Sequence, residues 1–199
     1  MANQTHLFKE LPYEERLAIV RKWSASHRGW YGEELVKTDI LNNNFSYMIP
    51  TYDAKYDIVM DHKKYFDNSI LNNYFFKIQV KTTTTSKSKY NISLEFNVSY
   101  GDRKKHSYLD TVDLFALVDP IANIIAWKRS DDEEIYNHVK FSIKRKGMKH
   151  YTLITCLNEI NDEIKSKDRL YRLEEENVER EKREEGYIKM LDINNGEYN

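Results

Sequence analysis

The segment Val112–Val118 (VDLFALV) is apolar at nearly every position. That is the pattern of a β-strand buried on both faces, and such a strand belongs inside a sheet that is covered on both sides. Asp119 and Pro120 end the run, and Ala122–Lys128 returns as a second strand, so the two read as a hairpin. Two further runs alternate. Over Tyr74–Thr82, Phe76, Ile78 and Val80 interleave with Lys77, Gln79 and Lys81; over Asn91–Tyr100, Ile92, Leu94, Phe96 and Val98 interleave with Ser93, Glu95 and Asn97. Each has one apolar and one wet face. Tyr56–Met60 is a fourth strand candidate, joined to the next by a polar connection over Asp61–Asn73.

Helices are expected at both ends. Residues Pro12 to about Asn42 carry Leu17, Val20, Trp23 and Trp30 at helical spacing, with Pro12, Glu14 and Glu15 suited to a first turn. Gly29 and Gly32 are expected to divide this stretch, so that a second helix runs from about Gly32 to Leu41 and Asn42–Asn44 form a turn. From Leu153 to Met190, Leu157, Ile164, Tyr171 and Val178 recur every seven residues, with Ile160 as a partner position, among Glu, Lys and Arg. This spacing suits a short coiled coil or a helix packed on the body. The expected fold class is therefore α/β. A mixed, mostly antiparallel central sheet is flanked by helices in one domain over residues 1–152, followed by a charged helical extension over 153–199.

The 199 residues hold 31 Lys and Arg against 32 Asp and Glu, a net charge of −1. Taken as a total this argues against nucleic-acid binding, but the charge is uneven. Leu157–Glu185 is rich in acids, and removing it leaves a more basic body with local runs at Arg103, Lys104, Lys105 and at Lys144, Arg145, Lys146. The single cysteine, Cys156, excludes an internal disulfide framework and a Cys-rich zinc site. It reads as a small buried hydrophobe in a reducing, cytoplasmic setting. The N-terminus has no apolar signal core, and no stretch approaches the length of a membrane span. Heavy use of Asn, Lys, Ile and Tyr fits an AT-rich coding sequence such as a phage or mobile element, which would place the chain in a host cytoplasm. His27, His62, His106, His138 and His150 show no i, i+4 pairing, so no zinc site and no histidine base are expected. There is no phosphate-cradling glycine loop and no serine-hydrolase elbow.

The chemistry is concentrated in Gly32-Glu33, Tyr56-Asp57-Ile58-Val59-Met60 and Ile78-Gln79-Val80-Lys81. Gln79 and Lys81 share one strand face, because side chains two apart point the same way. If the two strands pair, Asp57 meets them across the sheet, and a helix packed there brings in Glu33. Two carboxylates, an amide oxygen and an ammonium in one pocket suit metal-assisted phosphodiester hydrolysis. Hard oxygens bind Mg²⁺, and the lysine stabilises developing charge. The Val80 carbonyl is a further candidate ligand. The competing reading is a polar sheet face, with Asp57 capping a turn.

The arrangement RGWYGEELV…MIP…YDIVMD…FKIQVKT, over roughly Arg28 to Trp127, resembles the PD-(D/E)XK nucleases. Within that superfamily it is similar to group I intron-type homing endonucleases and to archaeal-type Holliday junction resolvases. The resemblance implies a restriction-endonuclease-like core. It also implies Glu33 as the helix acid, Asp57 as the metal-binding acid, Gln79 in the place of the usual Asp or Glu, and Lys81 as the catalytic lysine. Pro50 lies several residues before Asp57, so the "PD" is not contiguous. The metal set so implied is Glu33, Asp57, Gln79 and Val80 around Mg²⁺, with Mn²⁺ able to substitute.

The expected activity is cleavage of double-stranded DNA by a homing-type endonuclease. The alternatives are a branched-DNA resolvase and a catalytically idle DNA-binding protein on the same scaffold. One such site cuts one strand, so a homodimer or higher assembly is expected, with no membrane partner. Lys87, Lys89, Arg103, Lys104, Lys105, Lys144, Arg145 and Lys146 are the expected contacts to the DNA backbone.

Overall fold

A computed structural model describes residues 8, 10–51, 54–61, 75–83, 93–98, 111–132, 135 and 140–196. Among the described residues the helices α1 (Tyr13–Lys22) and α2 (Ala25–Asn42) precede the strands. The break between them falls at Trp23-Ser24, not at the glycines. Ser24 caps α2 by accepting a hydrogen bond from the His27 N–H at 3.1 Å, and Gly29 and Gly32 both lie inside the helix. A glycine costs a helix about 1 kcal/mol. The cap and the packing of α2 against the sheet outweigh it. Five residues of α2 are buried, Tyr31, Gly32, Leu35, Val36 and Ile40.

Seven strands follow: β1 (Ser46–Met48), β2 (Ile58–Asp61), β3 (Phe75–Thr82), β4 (Ser93–Asn97), β5 (Leu114–Asp119), β6 (Ile124–Arg129) and β7 (Lys140–Lys144). The five-stranded sheet has the order β1-β2-β3-β5-β6. Only the β3–β5 pair is parallel, so the sheet is mixed and mostly antiparallel. The edge strand β1 is an addition to the expected set. It follows a turn in which Asn44 takes a left-handed conformation with φ 63°, which asparagine tolerates. β4 and β7 form a separate antiparallel pair.

β5 is buried at all six positions, as its apolar run requires. One face lies under the β4–β7 pair, where Phe115 and Leu117 join Leu94, Phe96, Phe141 and Ile143 in one cluster. α2 packs against β3 and β5. The Gly32 backbone rests on Thr82 at the end of β3, which places α2 on the side to which Ile78 and Val80 also point. Gln79 and Lys81 point the other way and are half-buried. Trp127 on β6 ties its indole N–H to Asp39 of α2 at 2.8 Å.

A short helix α3 (Arg145–Met148) leads to the long α4 (Leu153–Gly196). The chain divides into two compact units, Met1–Cys156 and Leu157–Asn199. In the second unit Leu170, Tyr171, Leu173 and Val178 are exposed along the helix. Cys156 is buried. No helix among the described residues is long and apolar enough to cross a membrane.

Candidate active site

Asp57 is the centre of the site, and it stands just outside β2 rather than within a strand. Its N–H still donates to the Ile78 carbonyl at 2.9 Å, so the bend before β2 is pinned to β3. From that bend the carboxylate turns across the strand ends. Oδ2 accepts from the Val80 N–H at 2.6 Å and from the Gln79 side-chain amide. The same Gln79 Nε2 lies 3.5 Å from the Val80 carbonyl oxygen. One amide thus spans the two oxygens of Asp57 and Val80 that the metal reading needs.

Glu33 reaches Asp57 from α2. Its carboxyl is raised above the usual range by burial and then by the negative charge of Asp57, against the pull of Lys37. Lys37 stands 4.0 Å from Glu33 but 2.8 Å from Glu34, which takes most of its charge. Burial also raises the carboxyl of Asp57, opposed by the Val80 N–H and by Lys81. Lys81 is pushed down by burial and held up by Asp57. Asp57 is therefore the shared member, acted on by Lys81 and itself acting on Glu33. Gln79 and Lys81 share the face that spacing assigned them.

Glu33, Asp57, Gln79 and Val80 line one cleft of about 250 Å³, and Lys81 is not part of that lining. The cleft is completed by Ala25, Arg28, Gly29 and Thr82, which the sequence reading passed over. A signal for them was present, since Ala25, Gly29 and Glu33 recur every four residues of one helix. Taking Gly29 as a helix breaker hid it.

Among the described residues no three His, Cys, Asp or Glu side chains form a metal-binding group. The donor set that does converge is two carboxylates, one amide and one backbone carbonyl. All can offer hard oxygens, and the two acids lie close enough to repel. That chemistry fits a divalent cation such as Mg²⁺, which keeps several waters and needs few protein ligands.

The expected DNA contacts divide. Lys87, Lys89, Arg103, Lys104 and Lys105 lie outside the described residues. Lys144 and Lys146 are exposed. Arg145 differs from the expectation. Its guanidinium pairs with the buried carboxylate of Asp119 and donates to the Tyr13 hydroxyl at 3.1 Å, so it serves the interior rather than a surface. Asp113 accepts from the Lys77 N–H at 2.7 Å and links β3 to the start of β5.

No family model matches the sequence. No curated protein matches it either. Among solved structures the chain is similar to a bacterial homing endonuclease, I-Ssp6803I, at 13% identity and a TM-score of 0.49, over 74% of this chain and 98% of that one. A likeness of that size leaves the reading to rest on this chain's own residues.

Proposed function

We propose that the chain is a Mg²⁺-dependent endonuclease that hydrolyses phosphodiester bonds in double-stranded DNA. The observation that carries this is the cleft that Glu33, Asp57, Gln79 and Val80 line together, with the Gln79 amide hydrogen-bonded to Asp57 and the charge of Lys81 acting on that carboxylate. When bound, Mg²⁺ supplies Lewis acidity, lowering the pKa of a coordinated water and neutralising phosphate charge. Mn²⁺ finds the same donors.

Asp57 and Glu33, which line one cleft, would hold the cation. Gln79, through Oε1 once its amide is turned, and the Val80 carbonyl would be further donors. Burial pushes Lys81 down and the charge of Asp57 opposes this; its ammonium would stabilise negative charge developing on the phosphate. Lys144 and Lys146 are exposed, which supports a role for them in contacting backbone phosphates. One site cuts one strand, so a double-strand break takes two protomers. The homing-type substrate, a linear recognition site, follows from the family resemblance.

The test is plasmid nicking in Mg²⁺, with and without EDTA, by wild type, Asp57→Ala and Lys81→Ala. Wild type should nick only with the metal. Each variant should fall by about 10²- to 10³-fold or more, as for loss of one preorganised stabiliser, while DNA binding stays measurable. Cleavage surviving both substitutions would sink the assignment. Linear and four-way-junction substrates, run side by side, separate a homing-type enzyme from a resolvase.

A further inference from the structure

The nuclease reading uses only Glu33 from the face that α2 turns to the cleft. Arg28 and Gly29 share that face, and their surroundings ask for an explanation. Arg28 stands in the cleft with Glu33, Asp57 and Gln79. One arm of its guanidinium is tied down, since Nη1 donates to the Trp23 carbonyl at 2.8 Å across the turn between α1 and α2. Among the described residues it makes no ion pair. The cations that act on the two carboxylates are Lys37 at Glu33 and Lys81 at Asp57. Arg28 is thus oriented by the backbone, while its charge and its remaining donors are not committed to an internal acid.

Gly29 adds space. A Cβ built at Gly29 meets nothing within 4 Å, whereas one built at Gly32 lies 2.0 Å from Thr82 Oγ1. The helix therefore closes on β3 at Gly32 and leaves an open bay one turn earlier, beside Arg28. A polyanion entering this cleft meets two carboxylates, and a cation in the wall offsets their repulsion. Guanidinium is suited to that task, because its planar fork matches phosphate oxygens.

We propose that Arg28 grips a non-bridging oxygen of a DNA backbone phosphate seated in the cleft against the bare backbone of Gly29. This rests on the nuclease reading of the same site and names the residue that holds its substrate there.

The experiment measures binding of labelled duplex DNA in EDTA over a series of KCl concentrations, with nicking in Mg²⁺ run in parallel. The proteins are wild type, Arg28→Ala, Arg28→Lys, Gly29→Asp and Lys81→Ala. Loss of one phosphate contact should reduce the slope of log affinity against log salt by about 1 in Arg28→Ala. Arg28→Lys should restore the slope but not the full nicking rate, because the point charge returns without the fork. Gly29→Asp should keep the wild-type melting temperature, since its Cβ has room, yet weaken binding by about tenfold or more through like-charge contact with phosphate.

Wild-type slope and nicking in Arg28→Ala, with Lys81→Ala inactive, overturns the phosphate seat and leaves the nuclease reading standing. An Arg28-dependent slope in a wild type that never nicks keeps the seat and removes the nuclease. A chain that binds no DNA loses both.

Discussion

Gly32→Ala is expected to destabilise the protein although alanine is the better helix former. The added Cβ would lie 2.0 Å from Thr82 Oγ1, 3.3 Å from Thr82 Cβ and 3.5 Å from Thr82 Cγ2. Threonine is stiff about χ1, so the hydroxyl cannot simply swing away, and α2 must rise off β3. Overpacking of this kind costs about 1–3 kcal/mol, and the closeness of the contact puts it at the upper end. The gain from replacing a helical glycine is about 1 kcal/mol, so the net loss should be about 2 kcal/mol. Among the described residues Thr82 Oγ1 is buried with no hydrogen-bond partner, so Thr82→Ala sacrifices no bond of its own. The double variant Gly32→Ala/Thr82→Ala should recover most of the loss, a favourable coupling of about 1–2 kcal/mol. Urea unfolding at constant m measures the cycle. Nicking gives a second readout, because lifting α2 moves Glu33 away from Asp57. If Gly32→Ala instead stabilises by about 1 kcal/mol and adds independently to Thr82→Ala, α2 does not rest on the end of β3 and the helix acid is misplaced.

Three further outcomes follow from the same geometry. In EDTA the raised carboxyls of Asp57 and Glu33 keep protons that the unfolded chain releases. Stability from this pair is therefore full below the ordinary carboxylate range and is lost as pH rises through the raised folded values. Melting curves against pH should show that fall in wild type and a shallower one in Asp57→Asn, and equal slopes would refute it. Adding Mg²⁺ at neutral pH should raise the melting temperature, by about 2.7 kcal/mol of stability at one hundred times Kd, and should do so far less in Asp57→Ala. Asp119→Ala should cost about 3–5 kcal/mol in urea unfolding, because it strands Arg145 in the interior and frees the Ile121 and Ala122 N–H groups. A loss under about 1 kcal/mol would mean that Arg145 is solvated and available at the surface after all.

What the sequence made legible was periodicity, and periodicity assigns faces. The alternation in β3 placed Gln79 and Lys81 together and Ile78 and Val80 on the buried side. The unbroken run in β5 announced cover on both faces, and its hairpin with β6 followed from Asp119-Pro120. Partners are another matter. Nothing in either strand marks β3 and β5 as parallel neighbours, because that pairing is made across a long excursion of chain. Nor does β4 announce β7, since both only ask for an apolar face to cover. The short edge strand β1 has too few residues to show a period. Helix boundaries failed where a local cost was outweighed by a tertiary contact: Gly29 and Gly32 read as breakers, yet Ser24 starts the helix and Thr82 receives Gly32. Arg145 sits in a basic run, and only the fold reveals that Asp119 waits beneath it. At the site, Asp57, Gln79 and Glu33 could be named and expected together, but Asp57 was read as a strand residue, and it acts from a bend whose direction no alternation encodes.

That bend also gives the glutamine at position 79 a structural reason. Asp57 Oδ2 already receives the Val80 N–H, and the Gln79 amide completes its cover while approaching the Val80 carbonyl. A third carboxylate at position 79 would face Asp57 directly and add to the repulsion that burial and Glu33 already impose. The amide avoids this. With its N–H groups inward it neutralises the strand ends without a cation. Rotated, it offers an oxygen instead. Under the proposed reading one side chain would therefore bridge Asp57 and Val80 without a cation and offer an oxygen to one, at the loss of one unit of negative charge. The balance predicts weak cation binding and a fold that does not depend on it, so that Mg²⁺ should act on this protein as a cofactor for cleavage rather than as a condition for folding.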